Sequence, residues 1–516
     1  MLRSPRNLCR LVRIAMTLAR HDALFWLEVV PGGPALRRIA RWATLGMRAV
    51  PPDTPAGERL ARALQVLGPS FIKLGQALAT RADLIGERVA ADLAQLQDRL
   101  PPFPGPIARL TIEHELGRPL GELFHSFETD ATAAASIAQV HFAVTADGRE
   151  VAVKVLRPGI EAAFARDLDL FAWLAEWIER MVPFLRRLRP IAVVRTLADS
   201  VTLEMDLRFE AAAASELAQN FRGDPDYHVP TVDWQRTARR VLTVARIRGI
   251  RVDDRAALVA AGHDPRRILT VAANVFFAQV FRDGFFHADM HPGNLFVAAD
   301  GALVAVDFGI MGRLDRLTRY YLADMLTGFL NGDYRRVAEV HFEAGYVPAT
   351  QSVDAFAMAC RSIGEPIQGR PLHEISLARL LAQLFEVAET FDMETQPQLL
   401  LLQKTMLVAE GVGRQLDPGV NMWELARPLI EAWVVENRGP EARARQSVSD
   451  LMSIAQRLPD LVADAETIAA SLASGGLRLH PESLRALAGG QRHRAGAWPI
   501  WVALTALVVA VILAAR

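Results

Sequence analysis

One spacing of polar residues restricts the possible folds of this chain more than any other feature. Residues 287–294 read HADMHPGN, and LFVAADGALVAVDFG follows at 295–309. The second stretch predicts a β-hairpin with an Asp-Gly turn at 300–301. Asp307 therefore follows Asp289 by 18 residues, across that hairpin.

This spacing is typical of phosphoryl-transfer chemistry. The pattern H-x-D-x-x-x-x-N is that of a kinase catalytic loop, in which the aspartate (Asp289) lies beside the attacking hydroxyl or water and the asparagine (Asn294) binds Mg²⁺. Asp-Phe-Gly after a hairpin supplies a second metal-binding carboxylate, Asp307. Magnesium takes one or two protein ligands beside phosphate oxygens, so Asn294 and Asp307 suffice. Taken alone, the first motif leaves a transition-metal site open, because His287, Asp289 and His291 alternate.

A third motif precedes these two. The run EVAVKVL at 150–156 alternates with HFAVT across an Ala-Asp-Gly turn, which predicts a hairpin. Lys154 would face one side of its strand and the neighbouring valines the other. A lysine on an apolar strand requires an anionic partner, and kinases use such a lysine to hold the α/β-phosphates of ATP and to pair with a helical glutamate. Alone, VAVK also fits an edge-strand lysine facing water; together, the three motifs predict a kinase-like fold.

The loop before VAVK departs from the kinase pattern. Kinases place a glycine-rich loop over the phosphates. Here the loop contains no glycine and consists of Ala133, Ala134, Ala135, Ser136, Ile137, Ala138 and Gln139. Alanine disfavours positive φ and adds a methyl group where the backbone must approach phosphate. We therefore expect this loop to bind ATP with a γ-phosphate geometry different from that of a protein kinase.

Composition excludes several other classes of protein. A chain of 516 residues predicts two or three domains. Lys+Arg and Asp+Glu balance at 58 each, so there is no global basic field for nucleic acid. Cys9 and Cys360 are far apart and have no metal-type spacing. A reducing cytosol is therefore expected for the main body.

The C-terminal segment predicts a membrane anchor. Residues 497–515 read AWPIWVALTALVVAVILAA and contain no charge. At a rise of about 1.5 Å per residue, such a helix spans a hydrocarbon core of about 30 Å. Trp498 and Trp501 lie at its start, where aromatic rings favour the interface. Basic residues just upstream predict a cytoplasmic body: Arg485, Arg492 and Arg494. The alternative is a buried core helix.

The predicted fold class is α+β, a bilobal atypical protein-kinase-like fold with a helical N-terminal extension and a C-terminal transmembrane helix. The Pro-rich stretch PPFPGP at 101–106 is a strong break near the end of the extension. The expected segments are a helical extension at 1–125, a kinase-like N-lobe at 126–247, a C-lobe at 248–440, a helical tail at 441–496 and the membrane helix at 497–515.

These residues resemble the UbiB family of atypical kinase-like proteins, which includes the mitochondrial coenzyme Q kinases. The resemblance covers roughly residues 68–312. The supporting stretches are FIKLGQALATRADL at 71–84, AAASIAQVH at 133–141, VAVKV at 151–155, LEMDLRFEAAAA at 203–214, FFHADMHPGNLFV at 285–297 and VDFGIMG at 306–312. The Lys-x-Gly-Gln element and the Ala-rich loop are specific to this family rather than to kinases at large.

The resemblance implies roles for further residues. Lys73 and Gln76 would be the Lys-x-Gly-Gln residues, on a helix that lies over the site where a peptide substrate would dock. Glu204 and Asp206 would form the Glu-x-Asp pair, and Glu210 would be the glutamate that partners the VAVK lysine. On one helix, Glu204 and Glu210 would point about 120° apart, so one could meet each lysine.

The resemblance also implies the function. Asp289 would accept the proton, and Asn294 and Asp307 would hold Mg²⁺. The chain would be a Mg-ATP-dependent kinase or ATPase that regulates ubiquinone biosynthesis at the cytoplasmic face of the inner membrane. Its partners would be ATP, anionic membrane lipid, quinone precursors and other ubiquinone-biosynthesis enzymes. The alternative is a non-catalytic scaffold that nucleotide binding switches.

Two features depart from the family pattern. The strand-to-hinge run VLTVARIRG has Ala245 where the family often has glutamate, which bears on nucleotide preference. Bacterial members often end in two hydrophobic spans, and this chain has one, which bears on membrane topology.

Overall fold

The protein is represented by a computed structural model. It describes residues 5–25, 54–79, 100–181, 190–366, 396–417 and 422–438, with isolated residues between these ranges. The chain divides into two compact units, Met1–Val434 and Val435–Arg516. Within the described residues, no helix is both long and apolar enough to cross a membrane. The predicted membrane helix at 497–515 lies outside them.

The described part of the chain is α+β. Its helices are α1 (Pro5–Arg20), α2 (Ala56–Leu67), α3 (Pro69–Ala79), α4 (Gly105–Leu116), α5 (Leu120–Leu123), α6 (Ile160–Met181), α7 (Pro190–Glu204), α8 (Leu207–Asn220), α9 (Arg255–Ala260), α10 (Pro265–Phe277), α11 (Arg316–Asn331), α12 (Tyr334–Glu343), α13 (Val353–Gly364), α14 (Pro397–Leu416) and α15 (Met422–Arg438). Its strands are β1 (Phe124–Phe127), β2 (Ala133–Ala134), β3 (Ala138–Thr145), β4 (Glu150–Leu156), β5 (Tyr227–His228), β6 (Val241–Ala245), β7 (Ile250–Arg251), β8 (Phe285–His287), β9 (Leu295–Val297), β10 (Leu303–Ala305) and β11 (Met311–Arg313).

The first sheet has the order β1-β3-β4-β6, is antiparallel, and has β2 added along β3. The predicted hairpin of β3 and β4 is confirmed, with Gly148 at φ +84 in its turn. Val151, Val153 and Val155 are buried on the face that α4 covers, whereas Lys154 points to the other face. This alternation separates the apolar core from the candidate site, as the period of two requires.

The other face of this sheet packs against helices. Phe71 of α3 meets Phe171 of α6 edge to face, with ring centroids 5.1 Å apart. Residues of α8, such as Leu207 and Ala211, belong to the same core. These contacts hold two helices beside the sheet: α3, which provides a basic side chain, and α8, which provides an acidic one.

The second lobe of the fold is built on small sheets. β9 and β10 form the predicted hairpin, and Gly301 at φ +89 makes its turn. The helical stretch that begins with α10 ends before β8. A π-helical turn at Ala278–Asp283 is followed by Gly284 at φ +65, and β8 then begins and pairs with β11. Only glycine adopts this φ without strain, so the helix ends here.

Helix α14 packs on the core of this lobe. Its residues Leu402, Val412 and Leu416 are buried there. The guanidinium Nε of Arg255 donates to the carbonyl of Leu416 at 3.0 Å, which ties down the C-terminal end of α14. This helix therefore has a fixed position relative to the loop after β8.

Gly312 of β11 tests the packing between β8 and β11. A Cβ atom at this position would lie 2.1 Å from the Cζ atom of Phe286, whose side chain is fully buried. We expect Gly312→Ala to lower the free energy of unfolding by about 1–3 kcal/mol, because overpacking forces a rigid ring to move. Chemical denaturation measures this loss. The control is Gly121→Ala, where a Cβ meets nothing within 4 Å; an equal loss in both variants would contradict the packing argument.

Candidate active site

Two acidic side chains from distant parts of the chain meet Lys154. Its Nζ donates to both carboxylate oxygens of Glu210, at 2.8 and 3.0 Å, and to Oδ1 of Asp307 at 2.9 Å. The strand β4 presents the lysine, the first turn of α8 presents the glutamate, and the segment after β10 presents the aspartate. The anionic partner that a lysine on an apolar strand requires is therefore present, and a second one lies beside it.

The electrostatics of this cluster follow from burial and from its unequal charges. Burial alone would lower the pKa of Lys154, but the carboxylates of Asp307 and Glu210 outweigh it and raise that pKa. Burial raises the pKa of Glu210 to about 7, although Lys154 opposes the shift. Desolvation by the surrounding site acts to raise the pKa of Asp307 too, although its side chain is 46% exposed, yet the Lys154 charge lowers that pKa to about 2. The lysine and Asp307 are therefore both ionised at neutral pH.

The loop after β8 brings Asp289 and Asn294 together. The side-chain Nδ2 of Asn294 donates to the backbone carbonyl of Asp289 at 3.1 Å and to its carboxylate Oδ2 at 3.3 Å. The amide nitrogen of Asn294 is thus used within the loop, and the amide oxygen is the group it can offer a metal. Asp307 has φ +63, in the left-handed region, where aspartate is tolerated better than most residues. Its carboxylate is 46% exposed.

His287 supports this loop rather than a transition metal. Burial lowers the pKa of His287, so its ring is neutral. Its Nε2 faces the carbonyl of Val306 at 3.3 Å, and its Nδ1 accepts from the backbone N–H of Asp289 at 3.1 Å. Nδ1 of His291 accepts from the N–H of Gly293 at 3.1 Å. Among the described residues, no group of three or more His, Cys, Asp or Glu side chains could hold a metal ion.

Lys73 of α3 approaches the same cluster. Its Nζ lies 2.7 Å from Oε2 of Glu204, and both side chains are about nine-tenths buried. The charge of Lys73 also contributes to lowering the pKa of Asp307, so this lysine lies close to the proposed metal ligand. Gln76 lies one turn further along α3 and is partly buried.

The two glutamates pair with the two lysines as expected, but they do not lie on one helix as expected. Glu204 meets Lys73 and Glu210 meets Lys154, yet the two glutamates lie on different helices, because α7 ends at Glu204 and α8 begins at Leu207. The break is made by Asp206, which caps α8 by accepting from the N–H of Arg208 at 3.1 Å. A capping aspartate is the ordinary device for starting a helix.

The Ala-rich loop is a tight hairpin between β2 and β3. The N–H of Ala135 donates to the carbonyl of Ala138 at 2.8 Å. Arg157 holds the loop from outside: its Nε and Nη2 donate to the carbonyl of Ala135 at 3.1 and 2.8 Å. Ser136 is buried, and its hydroxyl has no hydrogen-bond partner among the described residues.

Gln139, the last residue of this loop, faces inward. Its amide Oε1 accepts from the N–H of Phe103 at 2.8 Å, and its Nε2 donates to the Phe103 carbonyl at 3.1 Å. The side chain is 1% exposed. Gln139 thus joins the Pro-rich segment at 101–106 to the loop, and its amide is engaged in that contact.

Arg157 provides a test of the loop. We expect Arg157→Met to weaken Mg-ATP affinity about 3- to 10-fold, because lost charged hydrogen bonds of about 1.5–3 kcal/mol let the loop move. Titration with Mg-ATP measures this change in affinity. The control is Arg118→Met, which removes an exposed partner of Glu122 at 3.3 Å. Unchanged Mg-ATP affinity in the Arg157 variant would contradict a role for Arg157 in holding the loop.

Lys404 is a site residue that the motifs did not predict. Its Nζ donates to Oδ1 of Asp289 at 3.0 Å from α14, 115 residues further along the chain. The available signal was composition: only three of the 58 lysine and arginine residues are lysines. The other two, Lys73 and Lys154, belong to the predicted motifs.

The assembled side chains have the chemistry of a nucleotide site. A lysine ammonium can bind phosphate oxygens, and an exposed carboxylate with an amide oxygen matches the hard oxygen ligands of Mg²⁺. Asp289 lies on the loop after β8, and its side chain is 32% exposed, so a reactant can approach its carboxylate. The described geometry therefore fits Mg-ATP.

Comparisons with known proteins agree with a kinase-like fold. The ABC1 atypical kinase-like domain matches residues 95–341, and the UbiB helical domain matches residues 360–421. A solved complex of Rv3197 with erythromycin, from Mycobacterium tuberculosis, is 28% identical with a TM-score of 0.50. It covers 69% of this chain and 90% of its own. The kinase-like part of the predicted fold is confirmed.

Curated relatives extend the similarity to most of the chain. The protein of Marinobacter nauticus named "Probable protein kinase UbiB" is 43% identical over 469 residues, which are 89% of this chain and 85% of the relative. The protein of the same name from Aeromonas salmonicida is 44% identical over 465 residues, with the same two shares. The chain therefore belongs to the UbiB family of atypical kinase-like proteins.

Proposed function

We propose that the chain transfers the γ-phosphoryl group of Mg-ATP, to water or to a hydroxyl, in support of ubiquinone biosynthesis. The observation on which this depends is the double pairing of Lys154 with Glu210 and Asp307. This pairing joins the proposed phosphate-binding lysine to the proposed metal ligand. Asp289, on the neighbouring loop, is partly exposed and pairs with Lys404.

In this proposal each residue has one task. Lys154 binds the α/β-phosphates, and Glu210 fixes the lysine. Asn294 and Asp307 would hold Mg²⁺, which supplies charge neutralisation at the phosphates. Asp289 accepts the proton of the attacking hydroxyl or water, and neutral His287 orients its backbone. The orphaned hydroxyl of Ser136 fits a loop that gains a partner when nucleotide binds.

The cellular setting is part of the proposal. The relatives carry the name UbiB, which supports a place in ubiquinone biosynthesis. Residues 497–515 would anchor the chain in the inner membrane with its body on the cytoplasmic side, in contact with anionic lipid. Quinone precursors and other biosynthetic enzymes are the proposed partners.

A nucleotide-switched scaffold is the second candidate. One contact favours it: Lys154 already binds Asp307, so nucleotide and metal binding must rearrange an existing ion pair. Such a rearrangement could change the position of α3 through Lys73, whose charge acts on Asp307.

ATP hydrolysis in anionic-lipid liposomes separates the two candidates. The wild-type chain is assayed with Mg²⁺ and again with excess EDTA, and ATP binding is measured on the same samples. Turnover that requires Mg²⁺ supports a phosphotransferase or ATPase. Mg-ATP binding without turnover, at any lipid composition tried, would favour the scaffold.

A further inference from the structure

Lysine is rare in this chain, and its positions are not scattered. Only three of the 58 lysine and arginine residues are lysines. Each of the three pairs with an acidic residue of the candidate site: Lys73, Lys154 and Lys404. Lysine differs from arginine in carrying a compact, strongly localised charge on three rotatable donors. Lys404 is therefore paired within the candidate site like the other two lysines, although no motif includes it.

The position of Lys404 is fixed by its helix. Leu402 and Thr405, which flank it on α14, are both buried, and the Thr405 hydroxyl donates to the carbonyl of Leu401 at 2.8 Å. The buried side of α14 belongs to the core that also contains Phe286 and Met290, which precede and follow Asp289 in the sequence. The ammonium thus reaches Asp289 from an anchored helix.

The ion pair of Lys404 and Asp289 is partly exposed, so stability does not explain it well. The side chains of Lys404 and Asp289 are 33% and 32% exposed, and their atoms are 3.0 Å apart. An ion pair whose side chains are one-third exposed to water contributes little to stability. Stability alone is therefore a weak reason for placing the third lysine of the chain here.

We propose that Lys404 is a positioning residue for phosphoryl transfer. It holds the carboxylate of Asp289 towards the acceptor and balances the negative charge that would otherwise oppose the γ-phosphoryl group. An unbalanced carboxylate beside a phosphate costs energy through like-charge repulsion. This inference rests on the proposed function, because it assigns Asp289 to the proton-accepting step. It also makes the helical domain at 360–421 part of the site.

Three variants of the full chain test this role: Lys404→Met, Lys404→Arg and the control Arg267→Met. Arg267 is 71% exposed and lies 3.9 Å from Asp226, so its loss removes one cation from another C-lobe helix. We expect Lys404→Met to lower kcat about 10- to 100-fold. The affinity for Mg-ADP, which lacks the γ-phosphoryl group, should stay within about twofold of wild type, and the Tm within about 2 °C. Lys404→Arg should recover part of kcat, and the control should match wild type.

The outcomes separate this inference from the proposed function. A Lys404→Met kcat within twofold of wild type would overturn the inference and leave the proposed function standing. A loss of kcat matched by a lower Tm and weaker Mg-ADP binding would also overturn it, since the role would then be structural. A wild-type chain that binds Mg-ATP without turnover would overturn both.

The ion pair has a test that does not require turnover. With three lysines in the chain, acylation of amines followed by mass spectrometry reports on each one separately. We expect Asp289→Asn to increase acylation of Lys404 several-fold while Lys73, paired with Glu204, is unchanged. Equal acylation of Lys404 in both proteins would show that the pair does not form.

Discussion

Replacing Asp289 by asparagine should remove turnover and leave nucleotide binding intact. The substitution keeps the size of the side chain and an oxygen that can accept from Asn294, at present 3.3 Å from Oδ2. It removes the group proposed to accept the proton. General-base catalysis contributes about 10²–10⁴-fold, so kcat should fall by about that factor. Mg-ATP affinity should change less than about twofold, because the phosphate and metal contacts assigned to other residues remain.

A capping aspartate provides the matched control for this change. Asp264 accepts from the N–H of Arg266 at 3.0 Å at the start of α10. It carries the same charge as Asp289 but has no role in the proposed reaction. Asparagine caps a helix as well as aspartate does. Asp264→Asn should therefore keep wild-type kcat. Full activity in the Asp289→Asn variant would show that another group accepts the proton or that the reaction needs none.

Replacing Lys154 by methionine should abolish Mg-ATP binding and weaken the fold. The methionine has a similar length, but it offers no donor to phosphate. It also leaves Glu210, whose side chain is 8% exposed, without the ammonium that now holds both of its oxygens. Removing one member of a buried ion pair costs about 3–5 kcal/mol. Protonation of Glu210 reduces this cost, since burial already raises its pKa to about 7. We expect a loss of about 3 kcal/mol at neutral pH.

A double substitution separates stability from binding at this position. Lys154→Met combined with Glu210→Gln removes both the ammonium and the buried carboxylate charge. It should recover a large part of the lost stability, because the unpaired charge is gone. It should not recover Mg-ATP binding. Denaturation curves and nucleotide titrations on the two variants measure these effects; wild-type Mg-ATP affinity in Lys154→Met would contradict the assigned role.

Local periodicity was sufficient for the elements around the motifs. The strand at 150–156 alternates cleanly, so its buried valines and its opposed lysine could be read from the order of residues. The hairpin at 295–305 has an Asp-Gly turn that fixes its register. Both are short-range features, and short-range features leave a signal in sequence.

The features that the sequence did not reveal depend on contacts between distant segments. The end of α7 at Glu204 interrupts an apolar pattern that would suit one long helix, and only the capping contact of Asp206 shows where the chain turns. Gln139 reads as part of a phosphate loop, but the backbone of Phe103 engages its amide. Lys404 reaches Asp289 only because α14 packs on the second lobe. Tertiary packing decides each case.

The proposed reaction breaks the bond between the β- and γ-phosphates of ATP at this site. The most direct test follows γ-labelled Mg-ATP bound to the full chain in anionic-lipid liposomes, with the bound nucleotide and the label counted in the same sample. We expect the label to leave ATP, as phosphate or on an acceptor, and EDTA to stop its release. Label that remains on bound ATP throughout would contradict the proposed reaction.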